Sequence, residues 1–455
     1  MMRLVFLRSV DCPMNAPELL SPAGSLKAMR MAFAYGADAV YAGQPRFSLR
    51  VRNNEFDLET LAIGIKEAHQ QGKKFYLVVN IAPHNSKLQR FVEDMAPAIE
   101  LGPDALIVSD PGVVFLLRQH FPQMPLHLSV QANTVNWAAV LFWQQQGIER
   151  VILSRELALE EIAQIRDQVP EMELEVFVHG ALCMAYSGRC LLSGYINKRD
   201  PNQGACTNAC RWSYQSHKAK ADEVGQYNPA VSELPEPVLV EEQGRPGELM
   251  LLDEDEHGSY IFNSKDLRAV QHVPALTAMG VHSLKIEGRT KSPYYVARTA
   301  QVYRKAIDDA MAGKSFDMEL LQQLNGMANR GFTEGFLRRH VPADLQNYQT
   351  SHSEGEQLLV GEFSGELNAQ GQALLQVKNR FSFDDELLLM TPQGITALDS
   401  IFYAADGQQL LVAPGSGYQV WFPLPDGVKP EYGFLLKQQK THAAATCGDT
   451  VCQCG

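Results

Sequence analysis

A short apolar segment followed by an amphipathic helix recurs along residues 16–312, and this repeat limits the folds that the chain can adopt. The apolar segments are continuous runs, such as VILS and FYLVVN. Runs of this kind are typical of strands that are covered on both faces, as in a parallel sheet. The repeat predicts eight strands, at Glu18–Leu20, Ala39–Ala42, Lys74–Ile81, Ala105–Val108, Leu126–Val130, Val151–Leu153, Leu174–Val178 and Ser283–Ile286.

Eight strand–helix units favour one kind of α/β fold, the (β/α)8 or TIM-like barrel. Such barrels take ~250 residues before insertions are counted. A doubly wound open sheet is the alternative, but no G-x-G-x-x-G motif opens the first unit. We therefore predict a barrel domain at residues 16–314, with a long cysteine-bearing insertion at 179–263 that follows the seventh strand.

The rest of the chain divides into segments of different composition. Short alternating strands separated by Asp-Gly and Pro-Gly turns predict a small C-terminal all-β barrel domain. Residues 219–258, inside the insertion, are acidic and contain several prolines and glycines, so we expect little regular structure there. The predicted segments are a disordered leader at 1–15 with Met14 as a possible start, a helical bridge at 315–352, the β domain at 353–440, and a flexible tail at 441–455 with Cys447, Cys452 and Cys454.

Composition and charge argue against two broad classes of protein. No apolar run approaches the ~20 residues that cross a bilayer, and the N-terminus lacks the apolar core of a secretory signal. We therefore expect a cytoplasmic protein without a membrane partner, whose thiols stay reduced. The formal net charge of −12 argues against a protein that coats nucleic acid, because phosphate binding needs local positive charge.

Four cysteines of the insertion lie within 28 positions, in a stretch rich in glycine, serine, asparagine and arginine. Reduced thiolates that cluster in a polar loop are typical ligands of zinc or of an iron–sulfur centre. Zinc favours closely spaced C-x2–4-C pairs, and only the last pair has that spacing. The irregular spacing favours an iron–sulfur cluster, with zinc as the alternative. The predicted ligands are Cys183, Cys190, Cys206 and Cys210.

Polar residues follow the predicted strands, and in a barrel they would ring the carboxyl-end mouth, where catalytic loops gather. Helix capping explains several serines at these positions, but it does not explain three ionisable residues. We predict catalytic roles for His179, Lys285 and Glu287, the histidine in proton transfer and the other two as an acid/base pair. An ordinary hydrogen-bonded histidine and a structural ion pair are the alternatives.

Several motifs in order along the chain resemble one known family. The run from Glu175 to Ser193, EVFVHGALCMAYSGRCLLS, is similar to the signature of the collagenase-like peptidases of unclassified catalytic type. The KIEGR segment at 285–289 and the segments GADAVYAG, VNIAPHN and SVQAN also resemble that family. The resemblance covers residues 17 to about 345.

The resemblance implies a function that the residues alone do not reveal. The DPNQGACTNACRW segment and the C-terminal β domain resemble a subgroup that takes part in tRNA modification. Its members hydroxylate the wobble uridine of certain tRNAs to 5-hydroxyuridine, depend on prephenate and carry iron–sulfur centres. The implied activity is a tRNA uridine hydroxylase with tRNA and prephenate as partners. The implied cofactor is a 4Fe-4S cluster on the four cysteines, and any protein that supplies sulfur or electrons is unknown.

Candidate substrate-binding residues follow from the chemistry of these two partners. Prephenate carries two carboxylates, for which arginines are the natural bidentate partners. A base in an unpaired stretch of RNA is held by stacking on aromatic rings and by nearby cations. The alternatives are a solvated basic surface for the arginines and core packing for the tryptophan. The candidates are Arg46, Arg50, Arg52 and Arg289 for prephenate, and Lys198, Arg199 and Trp212 for tRNA.

Two other functions compete with hydroxylation. The first is the peptidase activity that the family label suggests. The chain has no H-E-x-x-H and no G-x-S-x-G motif, and a metal cluster would occupy the thiols that a cysteine protease needs. The second is a non-catalytic tRNA-binding protein whose loop is stabilised by zinc.

Overall fold

The computed structural model describes residues 15–44, 46–49, 54–182, 186–187, 189–190, 193, 202, 265–329, 331–338, 357–425, 427–428 and 430–439, together with strands between 219 and 260. The chain divides into two compact units, and each is described by itself. The first unit is Met1–Leu321 with Asn329–Ser353, and the second is Gln322–Ala328 with Glu354–Gly455.

Eight parallel strands of the first unit close into a barrel. Each strand pairs with the next along the chain, and the eighth pairs with both the seventh and the first. The predicted (β/α)8 barrel is therefore confirmed, and an open doubly wound sheet is excluded. The strands are β1 Glu18–Pro22, β2 Ala39–Gly43, β3 Lys74–Val79, β4 Ala105–Val108, β5 Leu126–Leu128, β6 Arg150–Ile152, β7 Glu173–Ala181 and β8 Ser283–Ile286.

Helices cover the outside of the barrel, and their ends follow local capping chemistry. Ser25 accepts from the Ala28 N–H at the start of the first helix, and Asp57 and Thr60 form a reciprocal capping box at the second. The helices of the barrel unit are α1 Leu26–Ala34, α2 Leu58–Gln70, α3 Asn85–Leu88, α4 Phe91–Glu100, α5 Pro111–His120, α6 Trp137–Gln145, α7 Leu159–Gln168, α8 Val273–Ala278 and α9 Pro293–Met311, and α10 Glu319–Asn325 spans the division between the two units. None of the helices described is long and apolar enough to cross a membrane.

The upper half of β7 gains extra partners outside the barrel. The strand Asp266–Arg268 pairs antiparallel with the end of β7, and Phe332–Thr333 then pairs in parallel with Asp266–Arg268. β7 has nine residues and β8 only four, so the end of β7 would otherwise expose an unpaired edge. The predicted helical bridge at 315–352 includes the helix α10 and the strand Phe332–Thr333.

The insertion contains more regular structure than its composition predicts. Five strands between residues 219 and 260 pair antiparallel in two small sheets. The expectation of little regular structure was wrong for these residues, because the VLVE and LMLLDED runs favour strands despite their acidic flanks. The strands are Ala219–Ala221, Tyr227–Pro229, Val238–Glu241, Leu249–Asp255 and Gly258–Tyr260.

The second unit contains the predicted antiparallel all-β domain. Its strands are β9 Gln357–Leu367, β10 Ala373–Val377, β11 Phe381–Ser382, β12 Leu387–Thr391, β13 Gly394–Leu398, β14 Phe402–Tyr403, β15 Gln409–Leu410, β16 Val412–Ala413, β17 Gln419–Phe422 and β18 Phe434–Gln438. The larger sheet has the order β13-β12-β18-β9-β10-β17-β14-β15, and β11 pairs with β16. Phenylalanines from four strands form much of the core: the Phe422 ring lies 5.4 Å from Phe402, 5.9 Å from Phe381 and 6.1 Å from Phe363.

We expect Phe422→Ala to lower the free energy of unfolding of the β domain by about 3–5 kcal/mol, because it leaves a cavity among three other rings. Urea unfolding of the full chain, followed by circular dichroism, measures the loss. The control is Leu411→Ala, which truncates a side chain that is 61% exposed and should change stability by less than ~0.5 kcal/mol. Equal effects of the two substitutions would contradict the assignment of this core.

Candidate active site

A chain of buried ion pairs occupies the barrel interior. Lys285 on β8 donates to Glu175 on β7, with 2.7 Å between Nζ and Oε1. Arg150, the first residue of β6, contacts the other oxygen of Glu175 at 3.3 Å and Glu18 Oε1 at 2.6 Å. Alternate residues of a barrel strand face inward, which brings side chains of β1, β6, β7 and β8 together. The side chains of Lys285, Glu175 and Arg150 are at most 4% exposed.

Burial and pairing act against each other on these groups. Burial alone raises the pKa of Glu18, but Arg150 overrides it and the pKa lies below its ordinary value. Burial likewise opposes the charge of Arg150, yet Glu18 and Glu175 raise its pKa. At Lys285 burial prevails, and its pKa is lowered although Glu175 works in the opposite direction. Of the two cations in these buried ion pairs, Lys285 therefore gives up its proton more readily than Arg150.

Two aromatic rings enclose the amine of Lys285. Nζ lies 4.3 Å from the ring centroid of Tyr41 and 5.5 Å from that of Phe177. The hydroxyl of Tyr41 donates to the Ile286 carbonyl at 2.9 Å, which fixes the ring against β8. Ring faces attract a cation weakly and shield it from water, so Glu175 is the main partner of the amine.

Two arginines lie beyond these rings, on segments that follow the carboxyl ends of β6 and β8. The guanidinium of Arg155 stacks on Phe177 at 4.0 Å and donates to the Ala181 carbonyl at 2.6 Å. It also faces Glu287, with 3.6 Å between Nη2 and Oε2. Arg289 lies 5.9 Å from the ring centroid of Tyr41. The mouth above Lys285 is therefore rich in cations.

Amide and hydroxyl side chains line the mouth at the ends of β3 and β5. The Asn80 amide donates to Ser129 Oγ at 3.2 Å and to Gln131 Oε1 at 2.8 Å. Asn133 adopts a left-handed backbone conformation, with φ of 52°, which is uncommon outside glycine. Its amide donates to the Ser187 carbonyl at 2.8 Å, so the strand-end residues contact the cysteine loop directly.

The described part of the cysteine loop lies over the carboxyl-end mouth. Besides the Ser187 contact, the Ala82 N–H donates to the Asn202 carbonyl at 3.2 Å, and the Asn202 amide donates to the Cys190 carbonyl at 3.0 Å. Cys190 is a free, partly exposed cysteine. Its chain segment is thereby joined to the loop that follows β3.

The other three predicted ligands, Cys183, Cys206 and Cys210, lie outside the described residues. Within the part of the chain that the structure describes, no three or more His, Cys, Asp or Glu residues converge as a metal site would require. A shared cluster on the four cysteines stays a prediction.

His179 occupies a different environment from the ion-pair chain. Its ring lies 5.6 Å from Tyr303, 5.6 Å from Phe332 and 5.7 Å from Tyr295, and it is 1% exposed. Burial lowers its pKa to about 3, despite an opposing effect of Asp266, so the ring is neutral at physiological pH. Tyr295 and Tyr303 belong to α9, which packs outside the barrel. The proton-transfer role of His179 stays a prediction.

Three of the remaining predicted site residues that the structure describes have separate ion-pair partners. Lys285 and Glu287 do not pair with each other: the lysine contacts Glu175 and the glutamate faces Arg155. Arg46 is 64% exposed and pairs with Asp94 at 2.9 Å, which corresponds to the solvated alternative. The predicted substrate-binding residues outside the described part of the chain are Arg50, Arg52, Lys198, Arg199 and Trp212.

Sequence reasoning missed four residues that build this centre: Tyr41, Arg150, Arg155 and Glu175. A usable signal was present for two of them. Arg150 and Glu175 are charged residues on strands that are otherwise largely buried, and a barrel leaves such residues no solvent-facing side. Tyr41 and Arg155 give no such signal, because a tyrosine in a strand and an arginine before a helix are ordinary.

The fold and the site define a closed (β/α)8 barrel protein with an ionisable centre below a cysteine-bearing loop. Residues 24–347 match the model of peptidase family U32, and residues 356–437 match the C-terminal domain of that family. The chain therefore belongs to peptidase family U32, as its motifs led us to expect.

Curated relatives carry names from different activities. The chain is 63% identical over 441 residues to tRNA hydroxylation protein P of Escherichia coli (strain K12), covering 93% of this chain and 97% of that protein. It is 34% identical to the 23S rRNA 5-hydroxycytidine C2501 synthase of the same organism, covering 64% of this chain and 39% of that protein. It is 26% identical to a collagenase of Porphyromonas gingivalis (strain ATCC BAA-308 / W83), covering 91% and 96%.

We expect Arg150→Met to lower the free energy of unfolding by about 3–5 kcal/mol at pH 7, because it removes the buried cation that Glu18 and Glu175 share. Since Glu18 has a lowered pKa in the folded state, this stability is present above its ordinary pKa of 4.5 and is lost as the pH falls. The difference from the unmodified protein should therefore shrink on acidification.

Urea unfolding at pH 7 and at lower pH measures this difference. The matched control is Arg30→Met, which breaks a partly exposed pair with Glu67 and should lose only ~0–1 kcal/mol. A loss at Arg150 that is no larger than at Arg30, or that grows on acidification, would contradict the role of Arg150.

Proposed function

We propose that this protein takes part in tRNA hydroxylation and forms 5-hydroxyuridine from the wobble uridine, with prephenate as co-substrate and an iron–sulfur cluster. The observation that carries the proposal is the 63% identity to tRNA hydroxylation protein P over nearly the full length of both chains. An identity of this size extends over the barrel and the C-terminal domain alike.

The second relative supports the reaction class. Its name specifies 5-hydroxycytidine in ribosomal RNA, which is a pyrimidine hydroxylated at C5. A uracil ring offers the same C5 position, so one type of chemistry serves both bases. A base held inside a duplex or a folded loop must leave its stack to reach such a centre. Gln131, which is partly exposed at the mouth and held by Asn80, offers its amide N–H groups to an incoming base edge.

The cluster is proposed on the chemistry of its donor set. Cys190 is a free thiol at the mouth, and Cys183, Cys206 and Cys210 would complete a set of four thiolates. Four cysteines suit a 4Fe-4S cluster, which supplies electron transfer or structural support when it is bound. The chain's own contribution is to bring this loop against the ends of β3 and β5.

Prephenate is proposed on charge complementarity. It carries two carboxylates and a 2-oxo group, and Arg155, Arg289 and Lys285 concentrate positive charge around Tyr41 and Phe177. Lys285 and Glu175 are within proton-transfer distance at 2.7 Å, which suits an acid/base pair. Lys198, Arg199 and Trp212 remain our candidates for contacts with tRNA.

Peptidase activity is the second candidate, because the collagenase relative covers 91% of this chain at 26% identity. The zinc-stabilised tRNA-binding protein is the third. The three candidate functions differ in the metal that the purified protein would contain and in whether it would degrade gelatin.

We expect a strain that lacks this gene to lose 5-hydroxyuridine and its derivatives from bulk tRNA, as measured by mass spectrometry of nucleosides. A plasmid copy should restore them, whereas a copy with Cys190→Ser should restore less than about a tenth, because a cluster that loses one of four ligands is labile. The matched control is Cys447→Ser, in the predicted tail, which should restore them fully.

Iron, sulfide and gelatin assays on anaerobically purified protein separate the alternatives. The proposal requires iron and sulfide and no gelatin degradation. Unchanged nucleosides in the deletion strain, with no second enzyme of this kind in the genome, would contradict it. Zinc without iron would favour the binding protein, and gelatin degradation would favour the peptidase.

A further inference from the structure

We propose that Lys285 forms an imine with the carbonyl carbon of a 2-oxo acid bound at the barrel centre. The idea deepens the proposed function, because prephenate is itself a 2-oxo acid, and it assigns that substrate to one atom of the chain. Its evidence is the arrangement of groups around Nζ: a carboxylate for proton transfer, two enclosing rings and two arginines toward the mouth.

A lysine attacks a carbonyl only as the neutral amine, so its surroundings must favour loss of a proton. Lys285 is 3% exposed at the centre of the barrel, and Tyr41 and Phe177 shield it from water. Other lysines of the same barrel differ. Lys74 has a side chain that is 55% exposed at the opposite end, and Lys291 is exposed beyond β8. Among these three, Lys285 has the surroundings of a nucleophile.

A 2-oxo acid carries its carboxylate on the carbon next to the carbonyl, so a cation must lie near the reacting amine. Arg289 is 5.9 Å from the same Tyr41 ring that Nζ approaches at 4.3 Å. Arg155 is 4.0 Å from the same Phe177 ring that Nζ approaches at 5.5 Å. Arg155 Nε is buried and has no hydrogen-bond acceptor among the residues described. A carboxylate would supply that acceptor.

Glu175 accounts for the protons in the reaction. It accepts a proton from the Lys285 ammonium across 2.7 Å, and the free amine then forms a C–N bond to the carbonyl carbon while one of its protons passes to the carbonyl oxygen. The resulting carbinolamine loses its hydroxyl as water, with Glu175 returning the first proton to the leaving oxygen. The sum is an ammonium plus a ketone giving a protonated imine plus water with the Glu175 carboxylate regenerated, and no oxidant or reductant is consumed.

Trapping by reduction tests the imine directly. The full-length protein is incubated with pyruvate or phenylpyruvate and cyanoborohydride, and intact-mass and peptide mass spectrometry locate the adduct. We expect one adduct per chain on Lys285, formed at least ten times faster than on any other lysine. Lys285→Arg keeps the charge beside Glu175 and should abolish the fast adduct, whereas Lys291→Arg should react like the unmodified protein.

The imine predicts the behaviour of two further variants, which a purely structural ion pair does not. Glu175→Gln removes the carboxylate that holds the proton on Lys285, so adduct formation should extend to lower pH, with a smaller maximal rate. Arg155→Met should raise the half-saturating concentration of the oxo acid severalfold. Circular dichroism confirms that each variant is folded.

Failure of Lys285 to react faster than Lys291 in the folded protein would overturn the proposal. A fast adduct together with unchanged tRNA nucleosides in the deletion strain would leave the imine in place and refute the tRNA function instead.

A different observation concerns helix α6, from which we infer a surface that binds a second copy of this chain. No Lys, Arg, Asp or Glu occurs from Gln119 to Ile148, in a chain with 20% charged residues. Val140 is the one buried residue of α6. A helix that is apolar on all sides is normally covered on all sides. The exposed apolar side chains are Val135 at 40%, Trp137 at 46%, Leu141 at 37% and Phe142 at 52%.

The neighbouring helix extends this surface. Phe115 on α5 is 67% exposed, and Arg118 of α5 donates to the Gly147 carbonyl just beyond α6, so the two helices lie side by side. The rings of Phe115, Trp137 and Phe142 alone expose roughly 300 Å². This area is a substantial share of the ~800 Å² that each partner contributes to a standard interface. Aromatic residues without charge are typical of homodimer interfaces, whereas RNA requires cations, and α6 carries none.

Sedimentation velocity over a range of protein concentrations tests self-association. We expect a dimer that dissociates on dilution, and Phe142→Glu should leave a monomer at every concentration, because a two-fold contact buries the substituted charge twice. Tyr418→Glu changes a side chain that is 55% exposed in the β domain and should leave the dimer intact. A monomer at all concentrations for the unmodified protein, or a dimer that Phe142→Glu does not weaken, would overturn the inference.

Discussion

The barrel centre depends on the ion pairs that the Glu175 carboxylate forms with two buried cations. This carboxylate lies between Lys285 and Arg150 with no exposure to solvent. Without this anion, the desolvation penalty of several kcal/mol for the buried Lys285 ammonium would lose its ion-pair compensation, whereas Arg150 would retain Glu18. The same pairing links β6, β7 and β8 through their side chains, so the ionisable centre and the closure of the sheet are coupled.

Two aromatic rings connect this centre to the arginines near the mouth. The Phe177 ring lies near both Lys285 and Arg155, and the Tyr41 ring lies near both Lys285 and Arg289. The cysteine loop lies at the same end of the barrel, joined to it through Asn133.

Much of the architecture could be predicted from local patterns. Strand positions were accurate because continuous apolar runs leave few alternatives in a repeat of this length. The acidic 219–258 segment was misjudged, because composition outweighed two short runs of strand-forming residues. His179 directly precedes the cysteine loop in sequence, yet its ring packs against Tyr295 and Tyr303 of α9. Adjacency along a strand says little about which face a side chain takes when the pairing register shifts, as it does between β7 and β8.

The sequence by itself determined the eightfold repeat, the all-β C-terminal domain and the family, since each depends on the order of apolar, turn and motif residues along the chain. Only the tertiary structure decided which ionisable groups meet. Glu175 and Lys285 are 110 positions apart, and Glu18 and Arg150 are 132 apart. Their contacts exist because closing a sheet turns alternate residues of every strand toward one axis, a geometric consequence that no local pattern contains.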